Sequence, residues 1–240
     1  MNALPHDPPH DHPYAGRTHR VYAALTNHCN RACPWCSTYS SPAGSTWISW
    51  EQLAASLPAA GNFDVQLEGG EPTLHPQFWD IVERLRAGPR CGKLILCTNG
   101  VVIPRRNHRL RAWLERLGAP LLIKISINQY LMAQDAGLLA LAADIHDTLT
   151  ELGGERAVIY NVRLRRGYDD DDRAVTQALT RTGLQERANV FYLQRYGLAS
   201  NEQGWDEPFL AGENFRMVNP DGRVFGTDLK ARSAGMGDLA

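Results

Sequence analysis

The chain has 240 residues, 43% hydrophobic and 21% charged, which gives one domain a sizeable core and excludes disorder as the main state. Twenty-five Lys and Arg against 26 Asp and Glu leave a net charge of -1, without the basic excess of a nucleic-acid footprint. No apolar run approaches the roughly 18 residues of a membrane span, and the N-terminus lacks a secretory signal's order, so neither nucleic acid nor membrane is an expected partner. The cytoplasm is the expected location.

Residues 1–19 are rich in proline and hold His6, His10, His12 and His19 without apolar periodicity, the composition of a poorly ordered arm. From residue 20 onward, short β-branched runs alternate with segments of helical period, as in βα units building a parallel sheet. The expected strands are 20–26, 63–69, 93–99, 121–127, 157–164 and 189–194. Helices are expected from Ser49, whose Gln52 completes a capping box, and over 75–87, 105–118, 131–154 and 171–183. Asn219-Pro220-Asp221-Gly222 is a turn signal between two short β runs and predicts a C-terminal hairpin. Six βα units make either an open sheet or an incomplete barrel, and in both, ligands gather at the carboxyl ends of the strands.

Five cysteines are present, three of them as Cys29, Cys33 and Cys36 directly after the first strand. An odd number so clustered is not a disulfide framework. Three thiolates at C-x3-C-x2-C are able to wrap an inorganic cluster from one loop, whereas zinc takes a fourth ligand, a place for which His28 competes. A tetranuclear cluster with three protein thiolates leaves one iron for a small-molecule ligand.

This loop, with Trp35 before the third cysteine, resembles that of the radical S-adenosylmethionine (radical SAM) family. A second element, Gly69-Gly70-Glu71-Pro72 after the second strand, matches the family's GGEP motif. The resemblance covers residues 20–204 and implies a partial (β/α)6 barrel, with residues 205–240 as a C-terminal hairpin and tail similar to a twitch or SPASM extension. No cysteine follows Cys97, so the resemblance implies one [4Fe-4S] cluster, held by Cys29, Cys33 and Cys36, and no auxiliary cluster on protein ligands. S-adenosylmethionine is implied as cofactor, with Trp35, Gly69, Gly70, Glu71, Pro72, Thr98, Asn99, Ser126, Asn128, Asn161 and Arg163 as its contacts. At Asn128, relatives often carry an acid. Arg163 is a candidate for the cofactor carboxylate.

The implied activity is reductive cleavage of S-adenosylmethionine to a 5′-deoxyadenosyl radical that abstracts hydrogen from a peptide or small metabolite, with flavodoxin or ferredoxin as electron donor. Cys97 is a candidate hydrogen donor to the substrate. Two other readings are an activase for a glycyl-radical enzyme and a structural zinc- or iron-binding module without catalysis.

Overall fold

The computed structural model describes residues 19–105, 107–203, 207 and 214–240. Of the expected N-terminal arm only His19 is among them, and it opens the first strand instead. The chain order is β1 (His19–Thr26), α1 (Trp50–Ser56), β2 (Phe63–Gly69), α2 (Phe78–Ala87), β3 (Cys91–Thr98), α3 (Asn107–Leu117) and β4 (Leu121–Ile127). It continues through α4 (Gln129–Gln134), α5 (Leu138–Leu152), β5 (Arg156–Leu164), α6 (Asp169–Arg181), β6 (Ala188–Tyr192), β7 (Phe215–Val218) and α7 (Leu229–Gly237).

All strand pairs are parallel, in the order β6-β5-β4-β3-β2-β1-β7. The period of two along each strand assigns the faces. Val21, Ala23 and Leu25 on β1, Val65 and Leu67 on β2, Leu94 and Leu96 on β3, Ile123 and Ile125 on β4, and Val158, Tyr160 and Val162 on β5 belong to one buried cluster with Ile81, Leu85, Leu114, Ile145 and Leu179 from the helices. Each such aliphatic side chain is worth about 1.5–3 kcal/mol on burial. The alternate residues, among them Tyr22, Gln66, Glu68, Cys97, Lys124, Ser126, Asn161 and Arg163, line a cavity on the other face. The sheet is thus apolar toward the helices and polar toward its interior.

Two elements differ from the sequence expectation. The segment over 131–154 is two helices, because Asp135 turns to extended backbone and its carboxylate accepts from the Gly137 amide. The Asn128 side chain caps α4 by accepting from the Leu131 amide at 2.9 Å. The second difference is a seventh parallel strand. The expected turn at 219–222 does form, with Val218 bridging Val224 in antiparallel sense. Yet the first arm of that hairpin also pairs with β1, Arg20 opposite Phe215 through Ala23 opposite Val218. The rest of the expected tail includes α7, whose Asp228 side chain caps it by accepting from the Ala231 amide at 2.9 Å. Residues 205–206 and 208–213 of that tail lie outside the described residues.

α7 folds back over the open face. Its Arg232, whose side chain is 5% exposed, pairs with Glu68 at 2.8 Å and also donates to Asn219 Oδ1 at 3.0 Å. Removing one partner of a buried pair strands the other charge, so Arg232→Met is expected to lower stability by about 3 kcal/mol. The check is the urea midpoint at unchanged slope. Partial recovery in Arg232→Met combined with Glu68→Gln identifies the stranded carboxylate as the cause.

Candidate active site

The loop after β1 begins with Asn27, which is fully buried and closes the loop at its neck. Its Oδ1 accepts from the Thr46 amide at 2.9 Å and its Nδ2 donates to the Leu239 carbonyl at 2.7 Å. Four other elements hold the loop between these ends. Tyr130 of α4 donates to the Ala32 carbonyl, Thr38 to the Gly69 carbonyl, the Leu198 amide to the Cys36 carbonyl, and Ser233 of α7 to the Ser37 carbonyl. Asn27, Leu198 and Ser233 carry no motif and were not singled out by sequence.

Cys29, Cys33 and Cys36 are free thiols that line the same cavity, of about 400 Å3, at the carboxyl ends of the strands. Sulfur Sγ of Cys36 accepts from the Ser40 amide at 3.3 Å, and that of Cys29 from Asn99 Nδ2 at 3.6 Å. Hydrogen bonds of this kind stabilise thiolates and tune the clusters they hold. Among the described residues no three His, Cys, Asp or Glu side chains converge on one ion-sized point. His28 is turned away: its Nδ1 donates to the Gly44 carbonyl at 2.9 Å and its ring packs on Trp47. It does not serve as the fourth ligand that zinc would take. Arg31, in the same loop, has its Nε buried without a hydrogen-bond partner. A donor set of three thiols facing one cavity, beside an unspent guanidinium nitrogen, fits an anionic thiolate-held cluster.

Burial pushes the Cys29 and Cys33 thiols up to about 12. Both are therefore protonated in the metal-free chain at neutral pH, and binding a cluster must release those protons. Iron and sulfide uptake is expected to become more favourable as pH rises from about 7 to about 9, because the thiolate fraction rises with it. Anaerobic reconstitution followed by visible absorbance reads this, and a flat or falling profile contradicts it.

The GGEP segment divides into two parts. Gly69 and Gly70 line the cavity. Gly69 has φ +120, and a Cβ on Gly70 would enter the van der Waals shell of the His28 carbonyl. The Gly70 and Glu71 amides donate to the Thr26 and His28 carbonyls at 2.7 and 2.9 Å. Glu71 and Pro72 are not among the residues that line the cavity. Glu71 is fully buried and its carboxylate is spent on the Thr73 amide and hydroxyl, the Thr98 hydroxyl and the Asn99 amide. Burial raises its pKa against the pull of these donors. It is a brace between the ends of β2 and β3, and Pro72 starts the short 3-10 turn that follows.

Of the other expected contacts, Trp35, Thr98, Asn99, Ser126, Asn128, Asn161 and Arg163 all line the cavity. Asn128 does so with its Oδ1 committed to the α4 cap, so it does not replace the acid of relatives as a free acceptor. Trp35 is stacked beneath the Arg165 guanidinium, 4.6 Å from the ring centroid, and meets Tyr130 edge-on. Arg163 lies over the Phe191 ring, and burial lowers its pKa to about 10, which leaves it charged at neutral pH. Cys97 faces the cavity between Glu68 and Lys124, its thiol pushed up to about 12 by burial. Trp47 and Trp50 stay out of the cavity: Trp47 packs between His28 and His75, and Trp50 lies against the core under Arg84. Sequence reading missed Gln66, Lys124, Tyr196 and Arg232 as lining residues; the alternation in LLIKISI, which puts Lys124 and Ser126 on one face, was the available signal.

The Radical SAM superfamily model matches residues 24–129, the stretch from β1 through the start of α4. Over that stretch the chain is similar to the radical SAM superfamily. Proteins of that superfamily bind a [4Fe-4S] cluster and S-adenosylmethionine. It is 27% identical over 163 residues to the GTP 3',8-cyclase of Stenotrophomonas maltophilia strain K279a, covering 62% of this chain and 47% of the relative. With the GTP 3',8-cyclase of Chlorobaculum tepidum it shares 32% identity over 89 residues, 36% of this chain and 27% of the relative. The chain thus spans about half or less of the length of these curated relatives. The solved structure of Streptococcus suis SuiB superposes with a TM-score of 0.51 at 13% identity, over 87% of this chain and 60% of that one, a likeness of fold. The chain has no helix, among its described residues, long and apolar enough to cross a membrane.

Proposed function

We propose that this chain cleaves S-adenosylmethionine reductively and uses the resulting radical on a small polar molecule held in the cavity. The observation that carries the reading is the joint presence, on one cavity wall, of the three loop thiols and the Gly69-Gly70 backbone. Cys29, Cys33 and Cys36 would hold three irons of the cluster, and Gly69, Gly70, Ser126, Asn161 and Arg163 would bind the cofactor. When bound, these groups supply one electron to the sulfonium, break its bond to the 5′ carbon, and release methionine and a 5′-deoxyadenosyl radical that takes a hydrogen atom from substrate.

The chain's own residues bind, orient and shield. Glu71 fixes the strand ends on which Thr98 and Asn99 sit, and Asn99 in turn donates to Cys29 Sγ. α7 and the 197–199 turn are bonded to the loop at Ser37 and Cys36 and would help to shield it. Cys97 retains its S–H at neutral pH and faces the same space, so it would return a hydrogen atom to a substrate radical, its own radical being quenched by an external electron donor such as flavodoxin or ferredoxin. Cys97→Ala should then stop product formation; a variant turning over normally removes that role.

The relatives' name carries a nucleotide, GTP, as the substrate, which supports a small polar substrate here. The deciding experiment is anaerobic reconstitution with iron and sulfide, then reduction with dithionite in the presence of S-adenosylmethionine. A brown protein that forms 5′-deoxyadenosine is expected; a colourless protein that binds zinc and forms none overturns the reading.

A further inference from the structure

Four basic side chains, Arg31, Lys124, Arg163 and Arg232, line the cavity, against one acidic side chain, Glu68. Glu68 is already matched by the buried Arg232 of α7. Arg31 belongs to the thiol loop, where its charge acts on Cys33. Arg163 stands at the end of β5, at the level of the strand ends.

Lys124 is placed differently. It lies two residues before Ser126 on β4, deeper in the sheet, at the register of Cys97 on β3. Its ammonium donates to Gln66 Oε1 at 2.8 Å, while Gln66 Nε2 donates to Glu68 at 2.5 Å. The amide therefore points its oxygen at a cation and its nitrogen at a carboxylate. Among the described residues Lys124 has no acidic partner. A half-buried ammonium that holds only a neutral amide is poorly compensated, and an incoming oxyanion is the ligand that completes it. Cys97 Sγ shares its register, and both Lys124 and Arg163 bear on that thiol.

We propose, on the footing of the radical SAM reading above, that Lys124 anchors an oxyanion of the substrate, a carboxylate or a phosphate, at the floor of the cavity beside Cys97. The substrate is then a small acid or phosphate ester whose reacting carbon is fixed relative to its anionic group. Gln66 orients the ammonium and the Arg232–Glu68 pair keeps the only lining carboxylate from competing for it.

The test is calorimetric titration of the reconstituted full chain, loaded with S-adenosylmethionine, with succinate and separately with inorganic phosphate. Lys124→Met removes the charge and keeps most of the stem. Gln66→Glu keeps the lysine but sets a carboxylate against it, so it decides the matter if Lys124→Met fails to fold. At least one of the two oxyanions should bind the natural sequence, and both variants should bind it at least about tenfold more weakly, as loss of a charge-assisted hydrogen bond requires. Which of the two binds tells a carboxylate from a phosphate substrate. Equal affinity in the variants, or no binding of either ion to the natural sequence up to about 10 mM, overturns the proposal. The two readings fail separately: formation of 5′-deoxyadenosine by the natural sequence tests the radical chemistry, whatever the calorimeter shows.

Discussion

Replacing Cys29, Cys33 or Cys36 by serine, one at a time, is expected to remove both the brown colour and the formation of 5′-deoxyadenosine. A serine oxygen is a hard, weakly acidic donor where the soft iron–sulfide surface takes thiolate. Loss of a group that merely supports a ligand costs about 10–100-fold, so loss of a ligand itself should cost at least about a hundredfold. Fold is not the target of these changes: Cys33 and Cys36 are partly exposed and the loop is fixed by the Asn27 side-chain amide, the Leu198 backbone amide and the Tyr130 and Ser233 hydroxyls. Iron and sulfide analysis with circular dichroism on the same samples checks both halves of the statement. Cys91 gives the control. It opens β3 away from the cavity, its thiol held up to about 11 by burial, and Cys91→Ser should keep colour and cleavage. A colourless Cys91→Ser or a brown, active Cys36→Ser contradicts the ligand assignment.

The second large effect is expected at Gly70. Its amide donates to the Thr26 carbonyl, and the side-chain position faces the His28 carbonyl from within contact distance. Neither side of that contact is a flexible side chain able to yield. In Gly70→Ala the end of β2 and the start of the thiol loop must separate, breaking the Glu71-to-His28 backbone bond as well. A destabilisation of about 3 kcal/mol or more is expected, at or above the upper end for overpacking because neither backbone yields readily. The measurement is the urea midpoint of the metal-free chain, which isolates packing from cofactor binding. A shift below about 1 kcal/mol would mean that the two backbones are not in contact. The glycine pair is thus required by the approach of two chain segments, before any ligand arrives.

The sheet was legible from sequence where local pattern and tertiary role agree. β-branched runs with period two gave six strands within about two residues of their ends, a scatter normal for strand limits, and the Ser49–Gln52 capping box forms as read. What escaped were elements defined by distant partners. Phe215 to Val218 reads as one arm of a hairpin, and it is one, but nothing in four residues says that its other edge meets β1. α7 carries Gly235 and Gly237 and little amphipathic contrast; it is held by Asp228, Arg232 and Ser233 rather than by propensity. Within the site, motif reading located the thiols and the glycines. It did not foresee that the Glu71 carboxylate braces the ends of β2 and β3, and it passed over Lys124 because a lysine in a strand reads as a solvent-facing residue until the sheet's interior is known to be polar.

The pairing of β7 with β1 has a consequence for how the protein is born. Residues 20–23 leave the ribosome well before residues 215–218, which cover their outer edge. Until then the strand that leads into the thiol loop has a bare edge, and the loop lacks the clasp from Ser233 and Leu239. Domains generally settle in the order they are made, but here β1 has to wait for β7. A nascent chain stalled before residue 215 would therefore present the three thiols of the loop without the cover of β7 and α7.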